Sequence, residues 1–200
     1  MSGRSCGISP RGVAAGAAAA ALAAAALAGC GGGERQDANE PRGAFVAEIV
    51  ASSFPRSQDL AQQAALKVTV RNAGERVIPN VALTVDGFAR RATQPDLADP
   101  ERPVWVVDQG PADGPTAYVN TWALGPLAPD EERTFAWSVT AVRPGTHTVR
   151  FRVGAGLDGR ARAVTSDDRI PEGAITVHVT RRPRESSVDP KTGDVLHEAG

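Results

Sequence analysis

Leu66-Lys67-Val68-Thr69-Val70-Arg71-Asn72-Ala73-Gly74 is the stretch on which the fold turns. Leu66, Val68 and Val70 recur at every second position, so on an extended backbone they share one face, with Lys67, Thr69 and Arg71 on the other. Asn72-Ala73-Gly74 then supplies turn residues that end the strand. The same pattern recurs downstream. Val81, Leu83 and Val85 alternate with Ala82 and Thr84, and Phe135, Trp137, Val139 and Ala141 with Ala136, Ser138 and Thr140. Arg143-Pro144-Gly145-Thr146 turns the chain into His147, Val149, Phe151 and Val153, interleaved with Thr148, Arg150 and Arg152. Ile175, Val177 and Val179 close the series against Thr176, His178 and Thr180. Further strands are expected at 45–52, 104–108, 117–124 and 160–165. The one helical candidate is a turn or two near 57–64. Seven to nine short strands within residues 44–180, each with one polar face, predict an all-β, antiparallel sandwich. Trp122, Phe135, Trp137 and Phe151 are its expected large core residues.

Leu-x-Val-x-Val-x-Asn-x-Gly from Leu66, then Pro79-Asn80-Val81, then Leu127-x-Pro129 leading into a strand, is similar to the CARDB-type Ig-like modules of bacterial surface proteins. The resemblance covers residues 66–153. It implies an Ig-like β-sandwich and says almost nothing of a ligand.

The N-terminus reads as an address. Arg4 and Arg11 are the only charges of residues 1–12, and residues 13–28 are alanine-rich and uncharged. A positive n-region followed by an apolar stretch and small residues is a secretory signal. Sixteen residues rise about 24 Å as a helix, short of a ~30 Å hydrocarbon core, so a permanent span is not expected. Leu27-Ala28-Gly29-Cys30 resembles the lipobox of bacterial lipoprotein precursors. That resemblance implies cleavage between Gly29 and Cys30 and a diacylglycerol, with further acyl chains such as palmitate, on Cys30. Residues 1–29 are then the signal peptide, 30–43 a lipidated flexible tether opening on Gly31-Gly32-Gly33, 44–180 the sandwich, and 181–200 a charged, disordered tail.

Composition narrows the function. The chain has 22 Lys+Arg against 23 Asp+Glu; residues 30–200 hold 20 basic and 23 acidic side chains, net −3. That balance argues against a nucleic-acid binder. Cys6 leaves with the signal, so no internal disulfide or thiolate metal site is expected. Gly154-Ala155-Gly156-Leu157-Asp158-Gly159 matches G-x-G-x-x-G, yet Arg160–Val164 alternates like a strand where a dinucleotide site needs a helix. A glycine-rich hairpin connection is the expectation there. His147, His178 and His197 lack metal-ligand spacing: His147 is expected at a strand end, His178 outward on its strand, and His197 in the tail. Asp96, Asp99, Glu101, Asp108 and Asp113 crowd the proline-rich 88–116 loop without the regular spacing of a calcium loop. Arg150, Arg152, Arg160 and Arg162 are candidates for a basic stripe, with a solvated sheet face as the plainer alternative. Trp105 and Tyr118 are the candidate binding residues, an aromatic platform for sugars or a partner, unless Trp105 plugs the core beneath the loop. No metal, cofactor or catalytic residue is assigned, and an enzyme would have to assemble its site from loops.

The expected function is therefore a membrane-anchored extracytoplasmic lipoprotein. It carries a non-catalytic Ig-like domain that binds or scaffolds an envelope protein or polymer. The alternative is a small-ligand or glycan-binding lipoprotein for uptake or envelope sensing, using the 88–116 loop.

Overall fold

The computed structural model describes Asp37 and residues 40–94, 98–111, 116, 118–184, 186–188, 190–193 and 195–197. The described residues form strands and loops without a helix. One five-stranded sheet runs in the order β11 (Ala161–Val164), β1 (Gly43–Ser53), β3 (Gln63–Asn72), β9 (Glu132–Ala141) and β7 (Trp105–Gln109). The second runs β2 (Ser57–Leu60), β12 (Glu172–Pro183), β10 (Gly145–Gly154), β4 (Ala82–Asp86) and β8 (Thr121–Ala123). Two small hairpins complete the set, β5 (Ala89–Arg91) with β6 (Glu101–Pro103) and β13 (Ser186–Val188) with β14 (Val195–His197).

Period-two patterning fixes which side chains meet between the sheets. Leu66, Val68 and Val70 of β3 lie against Phe135, Trp137 and Val139 of β9 on one wall; Leu83, Val85, Val149, Phe151, Val177 and Val179 form the other. Each fully buried Val, Leu or Phe contributes about 1.5–3 kcal/mol relative to exposure. The walls touch through an aromatic pair: Trp122 of β8 meets Trp137 of β9 edge-on with centroids 5.3 Å apart, while within β9 Phe135 stacks on Trp137 at 6.0 Å. The expected large core residues are thus all in the core.

Asn72 explains why the opening stretch ends where it does. Its side chain is fully buried, and its Nδ2 donates to the carbonyls of Arg76 (2.8 Å) and Leu127 (2.9 Å). Its Oδ1 accepts the Gly74 N–H at 3.0 Å. One amide therefore closes the turn after β3 and ties it to the segment that enters β9. Backbone bonds between Ile78 and Leu127 add a bridge beside it.

The structure departs from the sequence expectations at several points. The sandwich is not wholly antiparallel, because β1 pairs with β11 and β12 with β2 in parallel. Residues 57–64 are not helical: Ser57–Leu60 is strand β2, and Ala61 at φ 60° turns the chain, the Gln62 carboxamide accepting the Asp59 N–H at 2.7 Å. The strand expected over 117–124 shrinks to β8, since Tyr118–Asn120 forms a turn with Asn120 at φ 55°. The 154–160 connection is no hairpin, because it carries the chain from β10 in one sheet to β11 in the other. The long 88–116 segment is organised by the β5–β6 hairpin and by β7, an edge strand. Strand β12 runs past Thr180 to Pro183, and the expected tail contains β13 and β14. These differences share a cause: pairing partners and sheet crossings are long-range choices that local alternation does not encode.

Candidate functional site

The glycine-rich connection after β10 is a carboxylate cradle. Glu40, just upstream of β1, is buried, and its side chain accepts the Leu157 N–H at 2.9 Å (Oε1) and 2.7 Å (Oε2) and the Asp158 N–H at 3.3 Å (Oε2). Consecutive backbone amides converging on one anion make a nest. Gly156 is required for it, because a Cβ there would collide with the Glu40 carboxylate. Upstream, buried Asp37 accepts the Tyr118 hydroxyl at 2.7 Å. Downstream, the Gly43 N–H donates to the Arg160 carbonyl at 3.0 Å. Residues 37 and 40–43 therefore form a strap tied to the sandwich at three places, and the domain starts earlier than residue 44. The G-x-G-x-x-G spacing does hold an anion through backbone N–H groups, but the anion is the chain's own Glu40.

A second feature is the seam between β1 and β12. The outer edge of β1 is paired with β11 only over Gly43–Val46, and that of β12 with β2 only from His178 onward. Between them lie two open depressions. One of about 810 Å³ is lined by Glu48, Ile49, Val50, Arg169, Ile170 and Glu172, among others; the other, of about 550 Å³, by Ser53, Phe54, Arg56, Lys67, Ala174 and Ile175. Val50 is 42% and Ile170 56% exposed. A bulge at Val50 breaks the β1 register against β3 and bends that edge, a common protection against strand addition. The β12 edge, over Glu172–Val177, carries no such bulge in its pairing with β10.

The residues singled out from the sequence have separate fates. Trp105 is 2% exposed; its indole N–H donates to the buried Gln58 Oε1 at 2.7 Å, and its ring packs on Phe54 at 5.5 Å and His147 at 5.7 Å. It plugs the core and offers no face for stacking. Tyr118, 38% exposed, serves the strap. The two do not form a platform. Gln58 had no signal in the sequence, since a lone glutamine in a polar tract looks solvated. His147, at the start of β10 as expected, is also buried: Nε2 meets the Arg143 carbonyl at 3.2 Å, Nδ1 finds no partner among the described residues, and desolvation pushes its pKa below the usual histidine value. The inward register of Val149, Phe151 and Val153 already pointed to that burial. His178 faces outward beside Thr146, and the side chain of His197 lies outside the described residues.

The four arginines do not make a stripe. Arg150 sits opposite Asp86 and Arg152 opposite Glu172, whereas Arg162 belongs to the other sheet and Arg160 pairs with Asp158 at 2.6 Å. Of the loop acids, Asp99 caps the Glu101 N–H, and Asp108 accepts from Thr140 at 2.7 Å. Asp96 and Asp113 lie outside the described residues, as do Gly29 and Cys30. Among the described residues no group of three or more His, Cys, Asp or Glu is placed to hold a metal ion.

Strand pairing and core together define an all-β, Ig-like sandwich with an N-terminal strap. No family profile and no curated protein sequence matches the chain. Among solved structures it is similar to a CARDB domain from Pyrococcus furiosus, determined in complex with di-metal ions, at 16% identity and TM-score 0.43, over 68% of this chain and 93% of that one. It is also similar to native alpha-2-macroglobulin from Escherichia coli (14% identity, TM-score 0.44) and to beta-glucosidase from Listeria innocua (16%, 0.35). The matched regions are 75% and 68% of this chain but only 21% and 16% of those chains.

Proposed function

We propose that this protein is a lipid-anchored, extracytoplasmic binding module without catalytic activity. Cys30 takes the lipid after cleavage at Gly29, and the sandwich presents a surface to a polypeptide partner at the cell envelope. The observation that carries this reading is the Leu27–Cys30 lipobox at the end of an uncharged, alanine-rich stretch. The strap supports it, because a domain held through its N-terminal segment gains from having that segment fixed. The β12 edge supports the binding role: unpaired backbone groups beside apolar Ile170 and Val50 suit an added extended strand. The burial of Trp105 removes the support for a sugar-stacking loop at 88–116.

Growth of the producing cells with a fatty-acid probe tests the anchor: wild type should be labelled and Cys30→Ser should not. Equal labelling of the two overturns it. Crosslinking on intact cells then tests the partner. Ile170→Asp should lose a crosslinked polypeptide that wild type captures, and retention at full yield removes the seam from the reading.

A further inference from the structure

The unpaired part of the β12 edge is a short slot with one closed end. The His178 N–H donates outward to the Arg56 carbonyl at 2.8 Å, whereas the Pro171 carbonyl accepts the Val153 N–H on the β10 side. Backbone groups alternate sides along a strand, so the N–H and C=O of Glu172, Ala174 and Thr176 point outward like those of His178. The β2 ladder begins only at His178, and these three residues have no strand beside them. From Ile170 to Thr176 the slot runs about 20 Å at the rise of an extended chain. Beyond it, β2 occupies the next stretch of the same edge, and residues 54–56 bring the chain there from β1. An extended guest lying on residues 172–176 therefore meets Arg56 head-on.

Charge differs between the two ends. The depression of about 810 Å³ beside Ile170 and Val50 has its ionic groups matched: Glu48 pairs with Arg71 at 2.8 Å, Arg169 pairs with Asp167, and Glu172 stands opposite Arg152. The depression of about 550 Å³ at the closed end is lined by Arg56 and Lys67 and by no acid. Neither cation makes an ion pair among the described residues. Two cations at a blind end attract a carboxylate and repel an ammonium, and this sets the direction of a guest. It runs parallel to β12, as β2 does, with its C-terminus at Arg56.

We propose that the β12 slot takes the free C-terminus of a polypeptide partner: about six extended residues pair with residues 172–176, and the terminal carboxylate sits between Arg56 and Lys67. The inference rests on the seam reading above and names the kind of segment bound. The pleat gives the register, because residues directly opposite each other share a face. Ile175 points inward and is buried, so a last residue opposite it turns its side chain toward the gap between the sheets. The third-last residue falls opposite Gly173, which has no side chain to obstruct it. The fifth-last lies beside the exposed Ile170. Apolar residues at these alternate positions fit the seam.

The test uses the full chain and an array of hexapeptides held through their N-termini, each made once as the free acid and once as the C-terminal amide. Free acids with apolar last and third-last residues should be retained, and their amides should bind roughly tenfold more weakly. Arg56→Glu combined with Lys67→Glu should abolish the preference for the acid; both side chains are exposed, and far-UV circular dichroism checks that the fold is kept. On binding, amide exchange followed by NMR should slow at Ala174 and Thr176 and stay unchanged at Ile175 and Val177, whose N–H groups already face β10. Equal binding of acids and amides, or a double variant that binds like wild type, overturns the capture of a terminus; the seam reading stands if Ile170→Asp still loses the peptide. Retention without slowed exchange at 174 and 176 overturns strand addition to β12. No hexapeptide retained in either form overturns the proposal, while a crosslinked partner that depends on Ile170 leaves the seam reading intact.

Discussion

Replacing Asn72 by alanine removes the amide that ties the end of β3 to the entry of β9, and its cost can be worked from the geometry. Three hydrogen bonds of 2.8–3.0 Å disappear together. At about 0.5–1.5 kcal/mol net for each neutral bond, the sum is roughly 1.5–4.5 kcal/mol. The Leu127 carbonyl keeps the Ile78 N–H as a second donor, which argues for the middle of the range, about 2–3 kcal/mol. For a domain of this size each kcal/mol lowers the melting temperature by about 2–4 °C, so Asn72→Ala should melt roughly 4–12 °C below wild type. Asn72→Asp separates hydrogen bonding from shape. It is nearly isosteric and retains an acceptor for Gly74, but it directs carboxylate oxygen at the Arg76 and Leu127 carbonyls, so at pH 7 it should cost at least as much as alanine. Thermal unfolding followed by far-UV circular dichroism measures both. A wild-type melting temperature for the aspartate variant would refute the assignment of Nδ2 as the donor to those carbonyls, and a shift under 2 °C for alanine would refute the role of Asn72 as the tie.

Gly156→Ala should eject the Glu40 carboxylate while leaving the sheets intact, since the obstacle is the end of a flexible side chain. Hydrogen exchange at Leu157 and Asp158 should accelerate and proteolysis near residues 40–43 should appear, both reproduced by Glu40→Ala; unchanged exchange would contradict the cradle. Gln58→Leu strands the buried Trp105 indole N–H at a cost of about 1–3 kcal/mol, and urea denaturation with no change in midpoint would show that the bond contributes nothing. His147 gives the fold a pH dependence: its folded pKa is depressed by burial, so the unfolded chain binds the proton more readily. Stability is then full above the ordinary histidine pKa of about 6.5 and falls as pH drops below it, until the folded form also protonates. Melting temperatures between pH 7.5 and 5.5 should decline for wild type and flatten for His147→Gln; equal slopes would assign the dependence elsewhere.

Much of the fold was legible because alternation is a local property. Leu66-x-Val68-x-Val70 and Phe135-x-Trp137-x-Val139 must segregate apolar from polar faces on any extended backbone, and these residues are the core. Asn72 could be read as a turn residue, but its bonds to Arg76 and Leu127 could not, because one partner is 55 residues away. The strap was illegible for a similar reason. Glu40 lies in a polar stretch with no periodicity, and its meaning depends on amides more than a hundred residues downstream. The glycine pattern at 154–159 matches an anion-cradle spacing, yet with no helix after it the sequence reads as a hairpin connection; the occupant, Glu40, lies more than a hundred residues upstream.

By itself, then, the sequence determined the strand faces, the large core residues and, with Cys30 the one cysteine after residue 29, the absence of a disulfide within residues 30–200. These follow from local chemistry: charge, hydrophobic period, turn residues and cysteine count. The tertiary structure decided what depends on which strands become neighbours. It placed β10 and β11 in different sheets, separating the arginines, and buried Trp105 against Gln58, His147 and Phe54. It also drew Asp37 and Glu40 onto the domain. Those outcomes rest on contacts closed across long loops, which a chain settles only when its two sheets pack.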